Sequence, residues 1–247
     1  MTRLFIILGV FLLIGSCATR DIPEAEAVGE IGSIDAYLFG TPGKLSPSNS
    51  GMGRVGDHYI YAPNIRFPLE KAPAYINSQV YGVGGLHGPK GKGQCDARNY
   101  QYPWKDNYCE TRSWKMPLCP GGKGHQGVDI RPASCNKDQH WAVAVEEGLI
   151  TSVGRYTVYL RGKNTGTTYR YLHLNAKSLA VRIGQKVMRG QRLGLVSNNM
   201  GKAKTTIHLH FDMKQTLRFS DGSSAKVFVP PYSSLVDAYQ RLLSGRN

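Results

Sequence analysis

The sequence predicts a mostly β domain, built as an antiparallel sheet and ending in one C-terminal helix. Three observations predict it. Between Trp141 and Met213, apolar residues alternate with polar ones in short runs, as half-buried strands require. Thr157 to Arg161 and Thr167 to Leu174 flank Gly162-Lys163-Asn164-Thr165-Gly166, a hairpin connection. Only Ser233 to Ser244 has helical spacing, with Leu235, Val236, Tyr239, Leu242 and Leu243 on one face and Ser233 or Ser234 as the cap.

In chain order, Met1 to Ser16 is a targeting segment. Arg3 precedes an apolar run from Leu4 to Gly15, shorter than the ~20 residues of a membrane span and typical of a signal-peptide core. Ile14-Gly15-Ser16-Cys17 resembles a bacterial lipoprotein cleavage box, which implies a mature chain lipidated on Cys17. The alternative is an ordinary signal peptide that contains a cysteine. Ala18 after the cysteine resembles the outer-membrane sorting pattern, and so implies an anchor facing the periplasm. Residues 17–63 are poor in apolar residues and rich in Gly, Pro, Ser and acids. They read as a tether of roughly 35 Å mean span, with one short strand near Tyr59 to Tyr61. An arm packed on the domain is the alternative.

The folded domain is expected over residues 64–247, long enough for its own core. Its first element is Ala74 to Tyr81, followed by an insertion over 84–124. Strands are then expected at Trp141 to Val145, Leu149 to Val153, Thr157 to Arg161, Thr167 to Leu174, Val181 to Val187, Gln191 to Ser197 and His208 to Met213. A pair around Leu217 and Ala225 to Val229 extends the sheet. Cys95, Cys109, Cys119 and Cys135 in an exported chain imply two disulfides, for which three pairings exist. Pairing neighbours in sequence gives Cys95–Cys109 and Cys119–Cys135. A cysteine zinc site is the alternative, but no Cys-x-x-Cys knuckle is present.

Four of the seven histidines fall in three short motifs. His208 and His210, in His-Leu-His-Phe, share one strand face, while Leu209 and Phe211 share the other. His125 and Asp129 share a face in His-Gln-Gly-Val-Asp, where Gly127 puts no side chain in the way. His173 ends Tyr-Arg-Tyr-Leu-His-Leu. Two histidines and one carboxylate leave zinc an open fourth position, the pattern of catalytic sites.

These motifs resemble, in order and in spacing, those of the lysostaphin/LytM-type zinc metallopeptidases, which cut peptide bonds of the bacterial cell wall. The resemblance spans roughly Pro68 to Met213 and includes Val187-x-Arg189-Gly190-Gln191-x-Leu193-Gly194. It implies the duplicated-hybrid-motif type of antiparallel domain. It also implies one zinc ion on His125, Asp129 and His210, with His173 and His208 beside it as proton-transfer or oxyanion groups whose split is open. Tyr171 either lines the groove or packs in the core. The glutamate base of His-Glu-x-x-His proteases has no counterpart. Two stretches depart from the family: Asn198 to Ile207, and the cysteine-bearing insertion. Some family members are noncatalytic and regulate wall amidases, so an envelope module is the alternative function, and envelope protein regulators are expected partners of either.

Charge fits an envelope setting. Lys and Arg number 31 against 17 acidic residues. Loss of the first 16 residues removes only Arg3, leaving 30 against 17, or +13. Such a surplus attracts polyanions. Export excludes nucleic acid and leaves peptidoglycan, its associated wall polymers and lipid headgroups. Gly88 to Gly93 lacks the spacing of a phosphate loop.

Overall fold

Alternation along three strands sets the architecture. In the computed structural model, residues 37–89, 91 and 93–246 are described. The targeting segment, Cys17 and the tether up to residue 36 lie outside them.

Twelve strands are present among the described residues: β1 (Tyr75–Ile76), β2 (Val128–Arg131), β3 (Trp141–Val143), β4 (Gly148–Val153), β5 (Thr157–Gly162), β6 (Thr168–Leu172), β7 (Lys186–Val187), β8 (Arg192–Leu195), β9 (Asn199–Met200), β10 (Ala203–Lys204), β11 (Leu209–Arg218) and β12 (Ser224–Val229). One antiparallel sheet runs β1-β2-β11-β6-β5-β4-β7, with β12 also on β11. β11 is its centre. β6 pairs one edge at residues 210–214, while β2 (209–211) and β12 (213–218) share the other. β3 with β8, and β9 with β10, form two small ladders.

The core lies on one face of this sheet. Val128 and Ile130 of β2, Leu209, Phe211 and Met213 of β11, and Tyr169 and Tyr171 of β6 are all buried there. Their sequence neighbours Asp129, His210, Asp212 and Arg170 must therefore face the other way.

Helix α1 (Tyr232–Leu243) covers part of the core with Tyr232, Leu235, Ala238 and Tyr239. Neither expected serine caps it. Pro231 holds the N-cap position without a side-chain hydrogen bond. Ser233 Oγ donates to Asp57 O, and Ser234 Oγ accepts from Ala62 N. These serines fasten the N-terminal segment to the helix instead.

That fastening corrects the tether expectation for residues 37–63. Phe39 packs edge-on against Trp104, 5.0 Å between centroids, and Ser50 and Ala62 are buried. Sparse apolar residues suffice because each fills a prepared gap. Tyr59 and Tyr61 form no strand; their rings meet edge-on in a loop. The first element also shrinks, with only Tyr75 and Ile76 pairing, against Arg131 and Ile130. The expected 181–187 strand shrinks likewise to Lys186–Val187.

The insertion is not peripheral. Trp104, Tyr108 and Met116 are fully buried in the common core. Its disulfides are Cys95–Cys135 and Cys109–Cys119, which overturns the neighbour pairing. The reason is the fold of the insertion back across the sheet edge. Arg131 Nη1 donates to Gln94 O, which brings Cys95 to the end of β2 near Cys135. Cys109 meets Cys119 across a turn closed by Cys119 N→Met116 O and Met116 N→Gly122 O bonds. In the chain-entropy view, closing loops of these lengths stabilises by about 3 to 4 kcal/mol each.

Candidate metal centre

Sheet register assembles the centre. Asp129 on β2 lies directly opposite His210 on β11, and His210 lies opposite Leu172 at the end of β6. Directly paired residues have neighbouring side chains on one face. His125 joins them from the segment just before β2. Its Nε2 lies 3.0 Å from His210 Nδ1 and 3.5 Å from Asp129 Oδ1, while His210 Nδ1 lies 3.0 Å from Asp129 Oδ1.

Gly127 has a different reason from the expected one. A Cβ there meets Phe211 O at 2.2 Å and Asp212 Cβ at 2.7 Å. Its bareness lets β2 approach β11 and leaves no special room for an ion. Gly127→Ala is therefore expected to push β2 off β11 and weaken zinc binding; competition against a chelating dye measures this, and unchanged affinity contradicts it.

The outer bonds fix which nitrogens face inward. Asn107 O, a carbonyl, accepts from His125 Nδ1 at 3.0 Å. The Asp212 carboxylate accepts from His210 Nε2 at 3.0 Å. Asp212 is in turn paired with Arg170, which also donates to Gln126 Oε1. His125 Nε2 and His210 Nδ1 thus present lone pairs toward each other and toward a carboxylate oxygen. Three acceptors at 3.0–3.5 Å repel unless a cation lies between them. A tetrahedron with bonds of about 2.0–2.1 Å has edges of about 3.3 Å. The donor set therefore fits zinc in both spacing and chemistry, and among the described residues it is the group of histidine and acidic side chains that converges this way.

Asn107 serves both ligands. Besides its bond with His125, its Oδ1 accepts from Asp129 N at 3.1 Å, and its Nδ2 donates to Asp129 Oδ2 at 2.9 Å. That leaves Asp129 Oδ1 turned inward. No pattern in the sequence marks it, because the insertion carrying it meets β2 only in space.

His173 and His208 stand beside this cluster, with ring centroids 4.7 Å apart. His173 Nδ1–H donates to Asn199 O at 2.8 Å, and His208 Nδ1–H to Thr206 O at 2.9 Å. Both rings turn Nε2 inward, and that of His208 comes within 3.3 Å of Asp129 Oδ1. His173 lies just beyond β6 with φ 72°, a left-handed conformation that costs strain and typically persists at working sites. The departing stretch Asn198 to Ile207 supplies both carbonyl anchors through the β9–β10 hairpin and Thr206. Tyr171 is core, not groove. It pairs with Phe211 on the far face of the sheet, and its hydroxyl accepts from Val145 N.

Electrostatics follow from burial and crowding. Burial pulls His125 down to about 3, and burial with His208 alongside does the same to His173. Burial pushes the Asp129 carboxyl up, but His125 and His208 outweigh it and hold it well below its ordinary value. Burial pulls His210 down, yet its bonds to Asp129 and Asp212 prevail and raise it. The cluster demands a positive charge, and without metal a proton on His210 meets that demand.

These shifts give a pH dependence for the metal-free protein. Unfolded histidines bind protons below about 6.5, while folded His125 and His173 do not until about 3, so the unfolded state gains between those values. The raised His210 acts only above 6.5, with the opposite sign. Burial pushes Asp106 up to about 6 and Glu110 up to about 7, which adds folded-state protons over the same window with the opposite sign. The histidine contribution is therefore read by difference. In urea unfolding of chelator-treated protein, the stability change between pH 6.5 and pH 4 is expected to be less unfavourable in His173→Gln than in wild type; an equal or more unfavourable change contradicts the assignment.

Residues 123–222 match the model of peptidase family M23. The peptidoglycan DD-endopeptidase ShyA of Vibrio cholerae is 43% identical over 82 residues, 33% of this chain and 17% of that protein. The chain thus matches under a fifth of that relative's length. Among solved structures, the catalytic domain of the antimicrobial peptidase lysostaphin from Staphylococcus simulans aligns at 22% identity over 49% of this chain and 86% of its own, with a TM-score of 0.35. A longer lysostaphin structure from the same organism aligns at 24% over 53% of this chain and 51% of its own, with a TM-score of 0.35.

Proposed function

From the match of residues 123–222 to the model of peptidase family M23, we propose that the chain is a member of that family and a zinc metalloendopeptidase that hydrolyses peptide cross-links of peptidoglycan. The observation that carries this reading is the convergence of His125, Asp129 and His210 with two further inward-facing imidazoles. Likeness to a peptidoglycan DD-endopeptidase supports the substrate class.

Zinc on those three ligands supplies a Lewis acid and makes hydroxide available near neutral pH. The chain's own residues do the rest. His173, with Nδ1–H held by Asn199 O, turns its Nε2 lone pair inward, the direction needed to take a proton from the attacking water and return it to the leaving amine. His208 Nε2 faces the Asp129 carboxylate at 3.3 Å, and since its Nδ1–H is committed to Thr206 O, it donates to developing negative charge only when the ring carries a proton on both nitrogens. Asn107 and Asp212 keep the ligand rings in their tautomers. Cys17 carries the lipid that holds the mature chain on the outer membrane facing the periplasm, and the basic surplus favours the anionic wall.

Mass spectrometry of isolated wall sacculi, incubated with zinc-loaded protein and with chelated protein, tests this. Cross-linked dimers are expected to fall to monomers only with zinc. Intact dimers after incubation with stoichiometrically loaded protein overturn the enzymatic reading in favour of a noncatalytic envelope module.

A further inference from the structure

Both backbone hydrogen bonds of His125 run to one loop. His125 N donates to Glu110 O at 2.8 Å, and Cys109 N donates to His125 O at 3.1 Å. The Cys109–Cys119 disulfide closes that loop, and Gly124 N donates to Trp114 O at 3.0 Å, one residue before the ligand. Trp114 is thus fixed relative to the centre. Its ring lies 6.5 Å from the His125 ring, tilted by 31°. Yet Trp114 is 47% exposed, while His125 is 3% exposed. Large apolar surface held at the lip of a working site marks a contact surface more than a packing element.

Arg112, two residues before it, pairs with Glu110, the residue whose backbone O accepts from His125 N. Its guanidinium donates to Glu110 Oε1 at 2.8 Å and to Thr111 O at 2.7 Å, committing two of five N–H groups. Glu110 is the one acid between Cys109 and Gly124, and it is buried and already paired. Lys115 and Lys123 are exposed on the same loop. The lip is therefore aromatic and cationic, with no exposed acid.

Resting on the hydrolase reading above, we propose that Trp114 and Arg112 form a substrate-positioning pair for an acidic peptide strand. The indole stacks on the peptide chain, and the guanidinium receives one of its free carboxylates at the His125 edge of the centre. Charge complementarity favours a peptide over the glycan, since a neutral sugar ring uses the indole but offers the guanidinium only neutral acceptors, where a carboxylate gives a charge-assisted pair.

Two cross-linked wall peptides, alike except that one has its free carboxyls amidated, provide the test. Each is given to zinc-loaded wild type, Trp114→Ala, Trp114→Phe and Arg112→Gln. Zinc content and calorimetric binding are measured alongside turnover. Trp114→Ala is expected to raise KM about tenfold, with kcat nearly constant and zinc retained. Trp114→Phe recovers most of the loss. Arg112→Gln erases the wild-type preference for free carboxyls. Unchanged KM in Trp114→Ala, lost zinc in that variant, or a preference that survives Arg112→Gln overturns the pair. If wild type cuts neither peptide, the hydrolase reading falls by itself. Binding then decides: weaker binding by Trp114→Ala upholds the pair, and equal binding overturns it.

Discussion

His210→Ala is expected to abolish both zinc retention and cleavage of cross-linked wall peptide. The residue occupies the central position: opposite Asp129 in the ladder, 3.0 Å from His125 Nε2, and braced behind by Asp212. Alanine removes one of three ligands and leaves two acceptors that bind zinc weakly. The loss should exceed the ten- to hundredfold that follows removal of an outer hydrogen bond. Elemental analysis of the purified variant, with circular dichroism to show an intact sheet, reads the result. Zinc held at one equivalent per chain would remove His210 from the ligand set.

The second large effect is expected at Asn107, which no catalytic scheme requires to touch substrate. Asn107→Ala strips both side-chain bonds from Asp129, one to its carboxylate and one to its backbone N–H, within a buried site. The orphaned groups lose stability by about 1–3 kcal/mol. The freed carboxylate can also rotate away from the metal, lowering zinc affinity ten- to hundredfold. Excess zinc is then expected to restore much of the turnover, as a positioning role predicts. Turnover that stays low at saturating zinc would assign Asn107 a direct part in the chemistry instead.

Much of the site was legible because strand periodicity is local. Asp129 and His210 sit among core residues that alternate strictly, so the sequence alone shows which side chains share a face. Their cross-strand register follows once Val128, Ile130, Leu209 and Phe211 seek one core. What was not legible depends on long-range closure. The disulfides join Cys95 to Cys135 because Gln94 caps Arg131, a contact no spacing encodes. Asn107 carries no periodic or motif signal, and its role arises only when the insertion meets β2. Tyr171 shares strand parity with His173, but the alternation ends at Leu172, and the left-handed turn at His173 swings that ring to the other face. Residues 37–63 lack a period because they pack as single anchors, such as Phe39 on Trp104.

X-ray absorption at the zinc edge, recorded on the zinc-loaded wild-type protein, examines the ligand set itself. Two imidazoles and one carboxylate predict a shell of nitrogen and oxygen at about 2.0–2.1 Å with imidazole scattering beyond it. A sulfur shell at about 2.3 Å, or protein that takes up no zinc, contradicts a centre built on His125, Asp129 and His210.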